Sequence, residues 1–288
     1  MNYLYKLSIS IGVVILLALL TTPPRIFSEQ GSQALNRISE IRLEDGEAAV
    51  WYLYHAGWAV KTAGTLMIFD YVPDGFLDPN SIKDQNVIIF ITHGHGDHYD
   101  RKILDWETLI PNITYVFGWQ TPEAQGHLAF GKDRTTHSIG PMKVINIFHD
   151  FDNIPESAFL IEVDGLSIYF SGDHGGWAGD LNPVYMDNID YLSQKSIATD
   201  LAFLSIFGSP TYDAEFYAIQ KFKPHVMMPM HLGGNESDAE DVIRLGQSKF
   251  PKTEFWYPLK QGDGFLYQNG KISIEISQSR RAFPLQYP

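Results

Sequence analysis

The sequence predicts an α/β domain in four layers, two β-sheets packed face to face with helices outside. Three observations carry this. Two strand-rich stretches, Ala48 to Thr92 and Met142 to Pro229, hold short apolar runs punctuated by turn residues. Apolar residues at helical spacing are confined to a few intervals beside them. Val87 to Thr92 is a continuous apolar, largely β-branched run, the pattern of a strand buried on both faces.

In order, Val50 to Tyr54 and Trp58 to Lys61 flank Ala56-Gly57, and Leu66 to Tyr71 follows a turn at Ala63-Gly64, giving a meander. Met142 to Phe148 is a strand, and Ala158 to Val163 pairs with Leu166 to Phe170 across Asp164-Gly165. Asp200 to Ser205 and His225 to Pro229 are further strands; Ala214 to Phe222 and Asp238 to Phe250 have helical spacing. A last hairpin turns at Asn269-Gly270. Ahead of all this, Lys6 precedes an apolar segment from Leu7 to Leu20, as in a secretory signal. That segment is shorter than the roughly 20 residues that span a bilayer comfortably. Residues 1–28 therefore read as a signal peptide or an N-terminal membrane anchor, 29–47 as a linker and 48–288 as the domain. The expected location is exported, periplasmic or extracellular, or tethered to the membrane by the N-terminus.

The chain has 288 residues, 44% of them hydrophobic and 19% charged, enough to bury a substantial core. It has no cysteine, which excludes disulfides, thiolate metal ligands and a cysteine nucleophile. The net charge is −13, from 34 acidic and 21 basic residues, and no run of Lys and Arg offsets it. Nucleic acid is thus disfavoured as a partner, and a small-molecule or lipid-like substrate is expected. Oligomeric state is not legible.

The chemistry gathers at the end of the buried strand, in His93-Gly94-His95-Gly96-Asp97-His98. Side chains two apart on an extended chain point the same way, and Gly94 and Gly96 permit unusual backbone angles. Four ligand-type side chains in so short a span are too many for one tetrahedral site and suit two adjacent metals.

Thr92 to His98 resembles the signature of the metallo-β-lactamase superfamily. Later positions follow the same order: His149 after its strand, then Ser171-Gly172-Asp173, then Met228-Pro229-Met230-His231. The resemblance implies a four-layer αββα sandwich with two divalent metal ions, zinc first and manganese or iron as alternatives. It implies a first metal on His93, His95 and His149, a second on Asp97, His98 and His231, and Asp173 bridging both. A metal-bridging hydroxide would attack an ester, lactone or phosphodiester. Asp97 would aim that hydroxide, and His174 is a candidate to touch substrate or protonate the leaving group. His137, followed by a Ser-Ile-Gly-Pro loop, is a rival to His149, which is preferred because it directly ends a strand. His225 competes with His231 but, at the start of its strand, is expected to be structural. His55, Trp58, Trp177 and Tyr212 either pack or line the rim. Asp100 either caps the following helix or orders the motif.

The missing cysteine speaks against β-lactamases that use one as a ligand, and His95 against diiron oxygen reductases that carry glutamate there. The form His-x-His-x-Asp-His-x-Asp, closed by Asp100, is similar to the lactonase-like and phosphodiesterase-like branch, ascorbate-6-phosphate lactonase among it. Two other readings stand: a mononuclear iron persulfide-type oxygenase, or a non-catalytic metal-binding protein on the same scaffold.

Overall fold

Alternation along the first strand decides the layering. In β1 (Ala48–Tyr54), Ala48, Val50 and Tyr52 enter one core, while Ala49, Trp51 and Leu53 enter a second on the opposite face. The structure, a computed structural model, describes residues 38–151, 154–175, 181–196, 198–206, 211–233 and 239–276. The first sheet continues through β2 (Gly57–Lys61), β3 (Leu66–Phe69), β4 (Val87–Ile91), β5 (Ile113–Phe117) and β6 (Leu128–Ala129). The second holds β7 (Thr136–Ile139), β8 (Met142–Phe151), β9 (Ile154–Val163), β10 (Leu166–Phe170), β11 (Leu201–Ser205), β12 (Val226–Met230) and β13 (Glu254–Phe255). Finally β14 (Gly264–Gln268) and β15 (Lys271–Glu275) return to the β1 edge of the first sheet.

Each sheet has a parallel half, β3 to β6 in one and β10 to β13 in the other. The inner strands β4 and β11 are buried on both faces and so are apolar nearly throughout. Between the sheets, Val50, Tyr52, Trp58 and Val60 share a core with Phe159, Phe170 and Phe203. That core also takes up α1 (Pro183–Ser193), α2 (Asp213–Phe222) and α3 (Ala239–Lys249) through Tyr185, Ile189, Leu192, Phe216, Ile219 and Val242.

Two expectations change. The outer layer on the first sheet is built from 3-10 segments, Pro79–Ile82 and Arg101–Thr108, whose Ile82, Ile103 and Trp106 pack with Ile89 and Ile91. The linker expected over 29–47 is part of the domain from residue 38 onward, because Ile38 and Ile41 are buried in that second core. The segment 1–28 lies outside the described residues. Among the described residues no helix is long and apolar enough to cross a membrane.

Candidate metal centre

The carboxyl ends of four parallel strands deliver the site, as layered α/β folds tend to do. β3 hands on to Asp70, β4 to Thr92 through His98, β10 to Ser171 through His174, and β12 to His231.

Two overlapping groups of donor atoms result. On the inner side, His93, His98 and Asp173 bring their ligand atoms within 4.8 Å of one another, all buried. His93 Nε2 lies 3.5 Å from Asp173 Oδ2, and His98 Nε2 lies 3.1 Å from Asp173 Oδ1. On the outer side, Asp97, His98, His231 and His55 form the second group. There His231 Nε2 is 3.6 Å from Asp97 Oδ2 and 3.7 Å from Asp173 Oδ1. His98 belongs to both groups, and Asp173 turns one oxygen toward each. Asp97, with a side chain 49% exposed, faces solvent.

The donors fit a divalent ion. His98 Nε2 and Asp173 Oδ1 are buried and face each other, yet neither has a properly aligned hydrogen-bond partner. A buried polar atom left so costs about 1–3 kcal/mol, and a shared cation satisfies both at once. His93 Nε2 and His95 Nδ1 are 2.8 Å apart, sharing a hydrogen bond that an ion between them would replace.

Buried carboxylates hold the imidazoles from behind. Asp70 accepts from Thr92 N at 2.8 Å, from Thr92 Oγ1 at 2.7 Å and from His98 Nδ1 at 2.9 Å. The last bond keeps a proton on Nδ1, so Nε2 is the nitrogen that a metal would take. Glu156, on β9 and fully buried, accepts the Asp173 backbone N–H and reaches to 3.3 Å from His149 Nε2 and 3.8 Å from His93 Nδ1. Gly172, at φ +55°, permits this approach: a Cβ there would lie 2.7 Å from Glu156 Oε1 and 2.8 Å from Thr92.

Burial and then the charge of His98 push His93 down to about 3, so its ring is neutral. Hydrogen bonds from His231 and His55 hold Asp97 well below the usual carboxylate range. Burial would raise Asp173, but His98 outweighs it and keeps that carboxyl low. Burial opposes charge on His98, but Asp173 and Asp70 outweigh it and raise that imidazole well above its ordinary value. A metal would displace the Nε2 proton, since neutral imidazoles and ionised carboxylates are the forms that ligate metals.

Of the ligands implied by the motif, His93, Asp97, His98, Asp173 and His231 converge, and His95 touches them through His93. His149 joins neither group: its Nε2 turns to Glu156, and its ring sits 4.9 Å from that of His174. His174 lies beneath the site instead of at its rim. It is 3% exposed, with Nδ1 3.0 Å from Tyr169 Oη and Nε2 3.3 Å from Asn188 Nδ2. Burial lowers its pKa well below the ordinary value, so it is neutral and enclosed. His137 sits in β7, not in a loop, with its ring against Phe130. His225 engages Asp200 and Tyr267. Asp100 caps the 3-10 segment after the motif, accepting from Lys102 N. Trp58 and Tyr212 are buried, and Trp177 lies outside the described residues. Three participants carry no motif signal: Asp70, Glu156 and His55. The available hint for the first two is an acid directly ending or interrupting an apolar strand, where charge is rarely buried without a partner.

A family model described as a beta-lactamase superfamily domain matches residues 49–231. A UPF0173 metal-dependent hydrolase of Methanosarcina mazei is 27% identical over 217 residues, covering 70% of this chain and 89% of its own. Its counterpart in Alkaliphilus metalliredigens is 26% identical over 198 residues, covering 63% and 84%. Among solved structures, Igni18, a metallo hydrolase of Ignicoccus hospitalis, superposes with a TM-score of 0.54 at 17% identity, covering 77% of this chain and 99% of its own. CmlA, a diiron beta-hydroxylase of Streptomyces venezuelae, gives 0.54 at 15% identity, covering 84% and 58%. These structures share the fold with this chain.

Proposed function

Because this chain belongs to the beta-lactamase superfamily domain family and is a metal-dependent hydrolase, we propose that it cleaves an ester, lactone or phosphodiester at two adjacent divalent ions. The supporting observation is Asp173, whose two oxygens face two overlapping groups of donors. His93 and His95 would serve one ion and Asp97, His98 and His231 the other, with Asp173 common to both. Nitrogen and carboxylate donors without sulfur suit zinc, with manganese and iron next. When bound, such ions supply a water acidic enough to attack at neutral pH and draw charge from the carbonyl or phosphoryl oxygen.

The protein's own part is orientation. Asp97, ionised and open to solvent, accepts a hydrogen bond from the attacking water and aims it. Asp70 and Glu156 keep the imidazoles in place. His174 is too deeply enclosed to reach a leaving group, so its part is support beneath His149. Residues 1–28 carry the further proposal of export or membrane attachment, which suits a lipid-like or envelope substrate.

The test is to strip purified protein with chelator and titrate zinc back. A nitrophenyl phosphodiester, a nitrophenyl ester and a simple lactone are offered in parallel. Hydrolysis of one class that rises with zinc and vanishes with chelator is expected. No metal-dependent hydrolysis of any of them would overturn the substrate reading.

A further inference from the structure

We propose that His55 is a further protein ligand of the outer ion, adding a third imidazole nitrogen to those of His98 and His231 beside Asp97 and the shared Asp173. This rests on the metal-dependent reading above. The four ligand atoms lie within 4.8 Å of one another. His55 Nε2 is 3.0 Å from Asp97 Oδ2, and its ring centroid is 4.1 Å from that of His231 and 5.8 Å from that of His98. Donors this close, and of these types, make with Asp173 a set that a first-row ion of expanded coordination accepts.

The backbone shows that the placement is built. His55 and His231 both sit in the left-handed region, at φ +54° and +66°, which non-glycine residues occupy only when their surroundings hold them there. The surroundings are mutual. His231 N donates to His55 O at 3.2 Å, His55 N donates to Tyr52 Oη at 2.7 Å, and Tyr54 Oη donates to Gly233 O at 3.3 Å. The turn between β1 and β2 is thus clasped to the loop after β12, and each presents one imidazole to the same carboxylate. Such outliers cluster where a site demands them.

His55 could instead act through Asp97, as a donor that aims the carboxylate, and a cobalt titration separates the two roles. Full-length protein is stripped and titrated with Co(II), whose visible absorption reports the number and kind of its donors. His55→Asn suits the left-handed backbone, and His55→Gln keeps an amide able to donate to Asp97; neither offers an imidazole. Wild type is expected to take up about two equivalents. Both variants should keep the first, bind the second about 10-fold or more weakly, and show a shifted band for it at saturation. A saturated spectrum identical to wild type, whatever the affinity, would overturn the ligand assignment and leave His55 a positioning residue. Wild type taking up no cobalt would remove the metal reading itself, and this inference with it.

Discussion

The inner and outer walls of the site are held by different means. His93, His98 and Asp173 are 0%, 0% and 4% exposed, and buried carboxylates fix them: Asp70 behind His98, Glu156 behind His93 and the Asp173 backbone. The outer wall of Asp97, His231 and His55 is partly exposed, Asp97 most, and turns in unusual backbone conformations hold the two histidines. Charge is effective where water is excluded and screened where it is not. A site at the mouth between two sheets therefore uses hydrogen-bonded charge on its dry side and backbone geometry on its wet side. Loss of an inner support should weaken both ions through Asp173 and His98; loss of an outer one should weaken the outer ion alone.

The largest expected effect is that of Asp173→Ala, which removes the group both walls share. At least one ion should be lost, with affinity falling by more than the about 10- to 100-fold typical of supporting residues, as read by elemental analysis and chelator competition. Unchanged metal content would remove the bridging role. Next is Asp70→Asn, which leaves the shape but removes the charge behind His98; metal affinity should drop about 10- to 100-fold. If it does not, charge does not hold the inner wall. Then comes a pair. His149→Ala deprives fully buried Glu156 of its nearest imidazole, whereas His137→Ala disturbs only a contact with Phe130. Metal binding should suffer far more in the first, and the reverse would exchange the two histidines.

The smallest effect sharpens the contrast from outside the site. Glu215, 1% exposed on α2, has both carboxylate oxygens without a hydrogen-bond partner, and burial raises its pKa to about 7. Its ionisation opposes folding increasingly as pH climbs from the unfolded value of 4.5 to about 7, and the cost is then constant. Glu215→Gln should therefore raise Tm at pH 8 by about 5 °C and change it little at pH 4.5. Equal melting at both would show that Glu215 is not an isolated buried acid.

Much of this was legible in the sequence where local physics suffices. β10 occupies Leu166–Phe170 as expected, because a short apolar run between Asp164-Gly165 and a glycine needs no distant information. The motif after β4 is similarly local. α1 was not anticipated, although Asn182 caps it and Tyr185, Ile189 and Leu192 share a face. Asp187, Asn188 and Asp190 dilute that periodicity, and Asn188 is buried for the sake of His174. The linker was misjudged because two isoleucines among polar neighbours, Ile38 and Ile41, gain their burial from β-strands they do not adjoin in sequence. Glu156 was invisible as a participant, and His55 legible only as a packing or rim residue, for the same reason: what they touch lies far along the chain.

In the function proposed, two ions sit side by side, shared through Asp173. Elemental analysis of purified protein, alongside its Asp173→Ala variant, tests it most directly. About two divalent ions per chain, falling in the variant, is the expected result. One ion per chain in both proteins, or none in either, would contradict it.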